Sequence, residues 1–187
     1  VGGLAPMLGE QHLRVVSVRG FPTSTWPGIL DDLNRLGFAY RWMTRFLCLD
    51  KSEAQSELTR MRRQWFAKRK SVVALLRETL SQQESPLVDT DADNKAMDAD
   101  AALQELGSDD VAYGYLTTTV VVMDPDPNVA DEKRRLIERA IQGRGFVTMP
   151  ETLNAVDAWL SSLPGHCYAN VRQYPVSTLN LAHMMPV

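Results

Sequence analysis

The side chains best able to do chemistry cluster between positions 57 and 110. Arg60, Arg62, Arg63, Lys68, Arg69 and Lys70 surround Trp65 and Phe66, and no acid interrupts them between Glu57 and Glu78. Such a run suits contact with anionic lipid headgroups or DNA phosphates. The following stretch answers it, because Glu84 to Asp110 holds nine acids and only Lys95 as a base. Opposite charges on two adjoining helices would neutralise one another, each exposed pair adding ~0.2–1 kcal/mol. A neutralised face is therefore the leading reading, with Trp65 and Phe66 as the core and rim of a hairpin. Antiparallel pairing from a turn at Pro86 sets Lys68 to Lys70 beside Leu103 to Glu105. It leaves Arg60, Arg62 and Arg63 past the second helix, as the candidates for contact with lipid, DNA or a protein partner.

Other constellations fall short. Asp89, Asp91, Asp93 and Asp100 are spaced like calcium-loop ligands, but Asn94 stands where the turn needs Gly and Asp100 where it needs a bidentate Glu. Two Cys (Cys48 and Cys167) and three His match no zinc spacing, and the adjacent His166 and Cys167 lack any nucleophile signature. Gly143-Arg144-Gly145 is not a phosphate loop, which needs GxxxxGK followed by Ser or Thr. No catalytic, cofactor-binding or metal-ligating residue is assigned.

The elements that must position these residues belong to an ordinary globular chain. Its 187 residues are 44% hydrophobic and 23% charged, enough for a sizeable core. The net charge of −3 argues against a basic nucleic-acid binder. No apolar run approaches the ~18 residues of a membrane-spanning helix. No secretory signal is visible, and two cysteines fit a reducing compartment. Cys48, in an apolar strand, reads as a buried free thiol. The chain opens at Val1 without Met and stops at Val187 after a helix-like run, which reads as a segment of a longer protein.

Two strand–helix–strand units bracket a helical excursion. The first has a Val-rich strand from His12 to Arg19, a helix to Leu36 with Thr25 as its cap, and a strand from Phe38 to Leu49. The second has a β-branched strand from Val111 to Met123, a helix from Asn128 to Gln142, and a short strand from Gly145 to Met149. Pro150 opens a helix from Glu151 to Leu163, with Leu153, Val156, Trp159 and Leu160 as its apolar stripe. Ser177 caps a last helix whose apolar face, Leu179, Leu181, Ala182 and Met185, awaits a partner. The order predicts an α+β fold: ferredoxin-like, two βαβ units forming a four-stranded sheet. A long antiparallel helical hairpin, 51–107, is inserted between 1–50 and 108–187 of a single domain, 1–187. Its seam runs through Ala54, Leu58, Met61, Trp65, Val72, Leu75 and Leu76 on one arm, and Ala92, Ala96, Ala99, Leu103 and Leu106 on the other.

Four runs carry a family likeness: KSEAQSELTRMRRQWFAKRK (Lys51 to Lys70), QQESPLVDTDADNKAMDADAALQELGSDDVAYGYLT (Gln82 to Thr117), IQGRGFVTMPETLNAVDAWLSSLPGH (Ile141 to His166) and ANVRQYPVSTLNLAHMMPV (Ala169 to Val187). With their spacing, they resemble the TrbE branch of the conjugal-transfer ATPases of type IV secretion systems, the CagE/TrbE/VirB family, from about Phe38 onward. Members of that family carry an N-terminal domain followed by a RecA-like motor. The resemblance places this chain in the N-terminal region, with the nucleotide-binding motifs beyond Val187. It implies a non-catalytic scaffold and docking domain needing no cofactor. ATP and magnesium serve the intact protein, whose C-terminal motor energises pilus assembly or substrate transfer. The implied partners are type IV secretion channel components, the protein's own C-terminal ATPase domain, further copies in a homo-oligomer, and an anionic membrane surface. The implied location is the cytoplasmic side of the bacterial inner membrane. An alternative is a stand-alone ferredoxin-like nucleic-acid-binding module, with Tyr113 and Tyr115 stacking on bases.

Overall fold

The computed structural model describes residues 3–22, 24–64, 90–166 and 168–185, with 90–96 described as backbone only. Its elements in chain order are β1 (Met7–Leu8), β2 (Gln11–Gly20), a 3-10 turn (Asp31–Arg35), β3 (Arg41–Cys48), α1 (51–64), α2 (Thr90–Gly107) and β4 (Tyr113–Asp124). There follow α3 (Pro127–Gln142), β5 (Val147–Glu151), α4 (Ala155–Ser161), β6 (Tyr174–Ser177) and α5 (Thr178–His183). The chain divides into two compact units, Val1–Leu47 with Gly114–Val187, and Cys48–Tyr113.

The first unit is a mixed α+β structure built on β2 and β4. Both are rich in β-branched residues, whose stiff side chains pack well on a pleated surface. They pair antiparallel, Val15 opposite Val121 and Ser17 opposite Thr119. β5 lies antiparallel on the other side of β2, Val18 opposite Thr148, and β1 shares that side. β3 follows β4 in the row, and β6 also pairs with β4. On one face, Val18, Leu116, Val120 and Val122 pack with Ile137 and Ile141 of α3 and with Leu33 of the 3-10 turn. On the other, Leu13, Val15 and Val121 meet Ala155 and Ala158 of α4. α3 starts where Asp126 accepts a hydrogen bond from the Asn128 N–H at 2.8 Å and Pro127 supplies a pre-set φ.

Several expectations are corrected. The described sheet has six strands, not four, because β1 and β6 join it. The first connection contains a five-residue 3-10 turn rather than a helix capped by Thr25, and Leu30 precedes it without a side-chain cap. Pro150 does not open a helix. It lies inside β5, a strand at the sheet's border, where a missing N–H is tolerated. α4 is consequently short, and it buries Ala155, Ala158 and Ser161 while Leu153 is 84% exposed. Cys48 is exposed, being the last residue of the border strand β3. The last helix does start at Ser177, whose hydroxyl accepts from the Asn180 N–H, but Met184 rather than Met185 is its buried methionine.

In the second unit, Asp50 and Glu53 form a reciprocal cap at the start of α1. Asp50 Oδ1 accepts from the Glu53 N–H at 2.8 Å, and Glu53 Oε2 from the Asp50 N–H at 3.1 Å. These backbone and hydroxyl donors hold the Asp50 carboxyl below its usual range. Ala54 and Leu58 of α1 pack with Leu106 of α2 and with Tyr113, and Leu103 is half-buried against them. Ala99 is buried as well. Thus Ala54, Leu58, Ala99 and Leu106 lie inward, as their spacing requires. The hairpin's connection and the seam positions Trp65, Val72, Leu75 and Leu76 lie outside the described residues, as do the side chains of Ala92 and Ala96.

Candidate interaction surface on the helical unit

The reciprocal cap fixes the start of α1, and burial of Ala54 and Leu58 fixes its rotation. The opposite face then presents Ser52, Gln55, Ser56, Thr59, Arg60, Arg63 and Gln64, which line an open groove of about 830 Å³. This face is mostly neutral hydroxyl and amide, with two guanidinium groups. Such a lining can hydrogen-bond and weakly attract an anionic group, but it holds no nucleophile, base or metal ligand set.

The six basic candidates separate. Arg60 folds back on Glu57, its Nε 2.9 Å from Oε2. Arg62 does not extend past α2, because its Nε lies 2.8 Å from Asp100 Oδ1. Lys51 reaches Asp109 at 2.5 Å, so the two helices run antiparallel where they are described. Arg63 is exposed and makes no ion pair among the described residues. Lys68, Arg69 and Lys70 lie outside them. The acidic arm therefore takes Arg62, and the groove brings Arg60 and Arg63 together. The neutral donors of the groove do not stand out in a reading guided by charge. Their signal is a set of polar residues three and four apart, opposite Ala54 and Leu58.

The other candidates are placed as follows. Tyr113 is buried, and burial aided by the Glu105 charge pushes its hydroxyl up to about 12. It cannot serve as an exposed base-stacking platform. Tyr115 is half-buried. His183 Nδ1 lies 2.8 Å from the Thr25 hydroxyl, which also donates to Asn180 Oδ1 at 2.9 Å, so this histidine ties α5 to the loop after β2. The backbone oxygen of His166 accepts from Arg45, whose guanidinium also donates to the carbonyls of Ser161 and Ala169 at 3.0 Å. Cys167 lies outside the described residues. Of the calcium-like set, Asp100 is engaged by Arg62, Asp89 lies outside the described residues, and Asp91 and Asp93 are described as backbone only. Among the described residues no group of His, Cys, Asp and Glu is placed to hold a metal, and no helix is long and apolar enough to cross a membrane.

A groove with no catalytic set, in a chain whose other unit is a mixed sheet, marks an interaction module rather than a reaction centre. Residues 74–172, just over half of the chain, match the family described as "CagE, TrbE, VirB family, component of type IV transporter system". The chain belongs to that family and is a component of type IV transport. It is 40% identical over 185 residues to a probable conjugal transfer protein TrbE of Sinorhizobium fredii, covering 99% of this chain and 27% of that protein. It is also 40% identical over 185 residues to the conjugal transfer protein TrbE of Rhizobium radiobacter, covering 99% of this chain and 22% of that protein. The chain thus spans about a quarter of the length of these relatives.

Proposed function

We propose that this chain is the non-catalytic scaffold and docking region of a conjugal-transfer ATPase. The observation that carries the reading is the match itself, since 99% of the chain aligns within 22–27% of TrbE proteins while containing no phosphate loop. ATP hydrolysis with magnesium then belongs to a motor elsewhere in the longer protein. This region would hold that motor at the cytoplasmic face of the inner membrane and contact channel components. The row β5–β2–β4–β3, with antiparallel pairing of β2 to β4 and β5, supports a ferredoxin-like reading of the sheet. The polar groove on α1 supports a docking role, with Arg60 and Arg63 as its attachment points for anionic groups.

Two measurements test the proposal. Calorimetric titration of the chain with Mg–ATP is expected to give no saturable heat. Expression of the chain in a conjugating donor is expected to lower transfer frequency, by competing for docking sites with the resident full-length protein. Micromolar nucleotide binding with turnover, or an undiminished transfer frequency at high expression, would overturn it.

A further inference from the structure

The two borders of the sheet differ in kind. β5 has five residues, with Pro150 among them, and its pairing with β2 slips between Val18 and Gly20. A proline and a register slip both discourage addition of another strand. β3 has eight residues, Arg41–Cys48, with no Pro and no Gly. Among the described residues it pairs with β4 alone. Strand edges are commonly guarded by free charges, but here the two arginines are engaged. Arg45 donates to backbone carbonyls, and Arg41 Nη1 lies 3.3 Å from the Ser162 hydroxyl. The side chains from Trp42 to Phe46 are half-buried, and Leu47 is 45% exposed. A long, regular, weakly guarded edge is a template for another strand.

We propose that this edge pairs with β3 of a second copy of the chain, antiparallel about a two-fold axis through Thr44. The sequence of β3 selects that partner and that register. In a two-fold antiparallel pair, opposed residues share a face, so the axis must pass through a residue. Centring on Thr44 opposes Thr44 to Thr44, Trp42 to Phe46, Met43 to Arg45 and Arg41 to Leu47. This gives two aromatic cross-strand pairs and no opposition of like charges. Centring on Met43 opposes Arg41 to Arg45 twice, and centring on Arg45 opposes that arginine to its own copy. The strand is thus self-complementary in one of its three longest registers. The pairing continues the sheet from one copy into the other. An eight-residue edge buries little area, so the association is weak and concentration-dependent.

The test is the mass of the 187-residue chain in solution, by sedimentation equilibrium across a concentration series. The wild type is expected to shift from monomer to dimer. Thr44→Lys and Thr44→Glu, each placing like charges across the axis, are expected to stay monomeric. An equimolar mixture of the two is expected to recover a one-to-one dimer. Circular dichroism checks that both variants fold. If either does not, hydrogen exchange on the wild type decides, because outward-facing amides of β3 gain protection with concentration only if the edge pairs. A wild type that stays monomeric, dimers that survive both charge variants, or concentration-independent exchange in β3 would overturn the proposal. These outcomes are independent of nucleotide titration and transfer frequency, so the dimer and the docking role fail separately.

Discussion

Arg62 on α1 and Asp100 on α2 meet at 2.8 Å, and this pair decides which of the basic residues remain available. Together with Lys51–Asp109 it sets an antiparallel register whose midpoint falls several residues before Pro86. Arg62 therefore belongs to the helix pair, whereas Arg63 faces the groove. Arg62→Gln is expected to lower the stability of the helical unit by ~0.2–1 kcal/mol and to leave binding of anionic vesicles unchanged. Arg60→Gln with Arg63→Gln is expected to do the reverse, with binding that weakens as salt shortens the Debye length to ~8 Å or less. Co-sedimentation at low and physiological salt, paired with denaturation curves, separates the two. Equal loss of binding in both variants would mean that the groove is not the contact surface.

The interior of that unit allows a second contrast on one helix. Leu106 is 5% exposed among Ala54, Leu58 and Tyr113, whereas Met97 is 69% exposed. Leu106→Asp buries an unpaired carboxylate and is expected to cost several kcal/mol, while Met97→Asp should stay within ~0.5 kcal/mol. Urea denaturation of both variants checks this. Matching midpoints would show that the α1–α2 core does not hold the unit together.

How much was legible in the sequence follows the strength of local signals. β2 and β4 are legible because runs of Val and Thr favour strands whatever surrounds them. α3 is legible because Asp126, Pro127 and Gly143 punctuate both ends. α4 is misread, because Leu153 and Pro150 satisfy a helical pattern that pairing of β5 with β2 overrides. β6 is missed, since four residues carry little pattern of their own. At the candidate surface, the charge balance between the arms is legible but the fate of each arginine is not. That fate depends on register, and a shift of a few residues moves Arg62 from free to paired. Exposure of Cys48 likewise depends on β3 lying at the border of the sheet, which no spacing in the sequence encodes.

Gly114 shows a requirement hidden in a strong strand signal. A Cβ placed there would lie 2.5 Å from the Leu47 carbonyl oxygen and 2.5 Å from Phe46 Cζ. Backbone on one side leaves no cheap relief, so Gly114→Ala is expected to destabilise by ~1–3 kcal/mol, despite alanine being a small residue. Gly37 meets nothing within 4 Å, and Gly37→Ala serves as the control. Thermal unfolding of the two variants measures the difference. An unshifted midpoint for Gly114→Ala would mean that β3 and β4 do not approach each other this closely.

Asp131 links α3 to the sheet through a charge that acid can remove. Arg14 of β2 donates from Nε to Asp131 Oδ1 at 2.8 Å and from Nη2 to Oδ2 at 3.3 Å, and Arg134 lies 3.5 Å away. The hydrogen bond from Arg14, then the positive charges, hold the Asp131 carboxyl below its usual value. The folded state therefore binds this proton less readily than the unfolded chain, whose aspartates titrate near ~3.9. The stabilisation is fully present above about pH 4 to 5 and is lost as pH falls through the lowered folded value. Because the carboxylate is 37% exposed, solvent screens it, and the loss should not exceed ~1 kcal/mol, or ~2–4 °C in Tm. Asp131→Asn should accordingly lower Tm at neutral pH and converge with the wild type in acid. A difference between the two proteins that persists unchanged well below about pH 3 would show that Asp131 acts through packing and not through its charge.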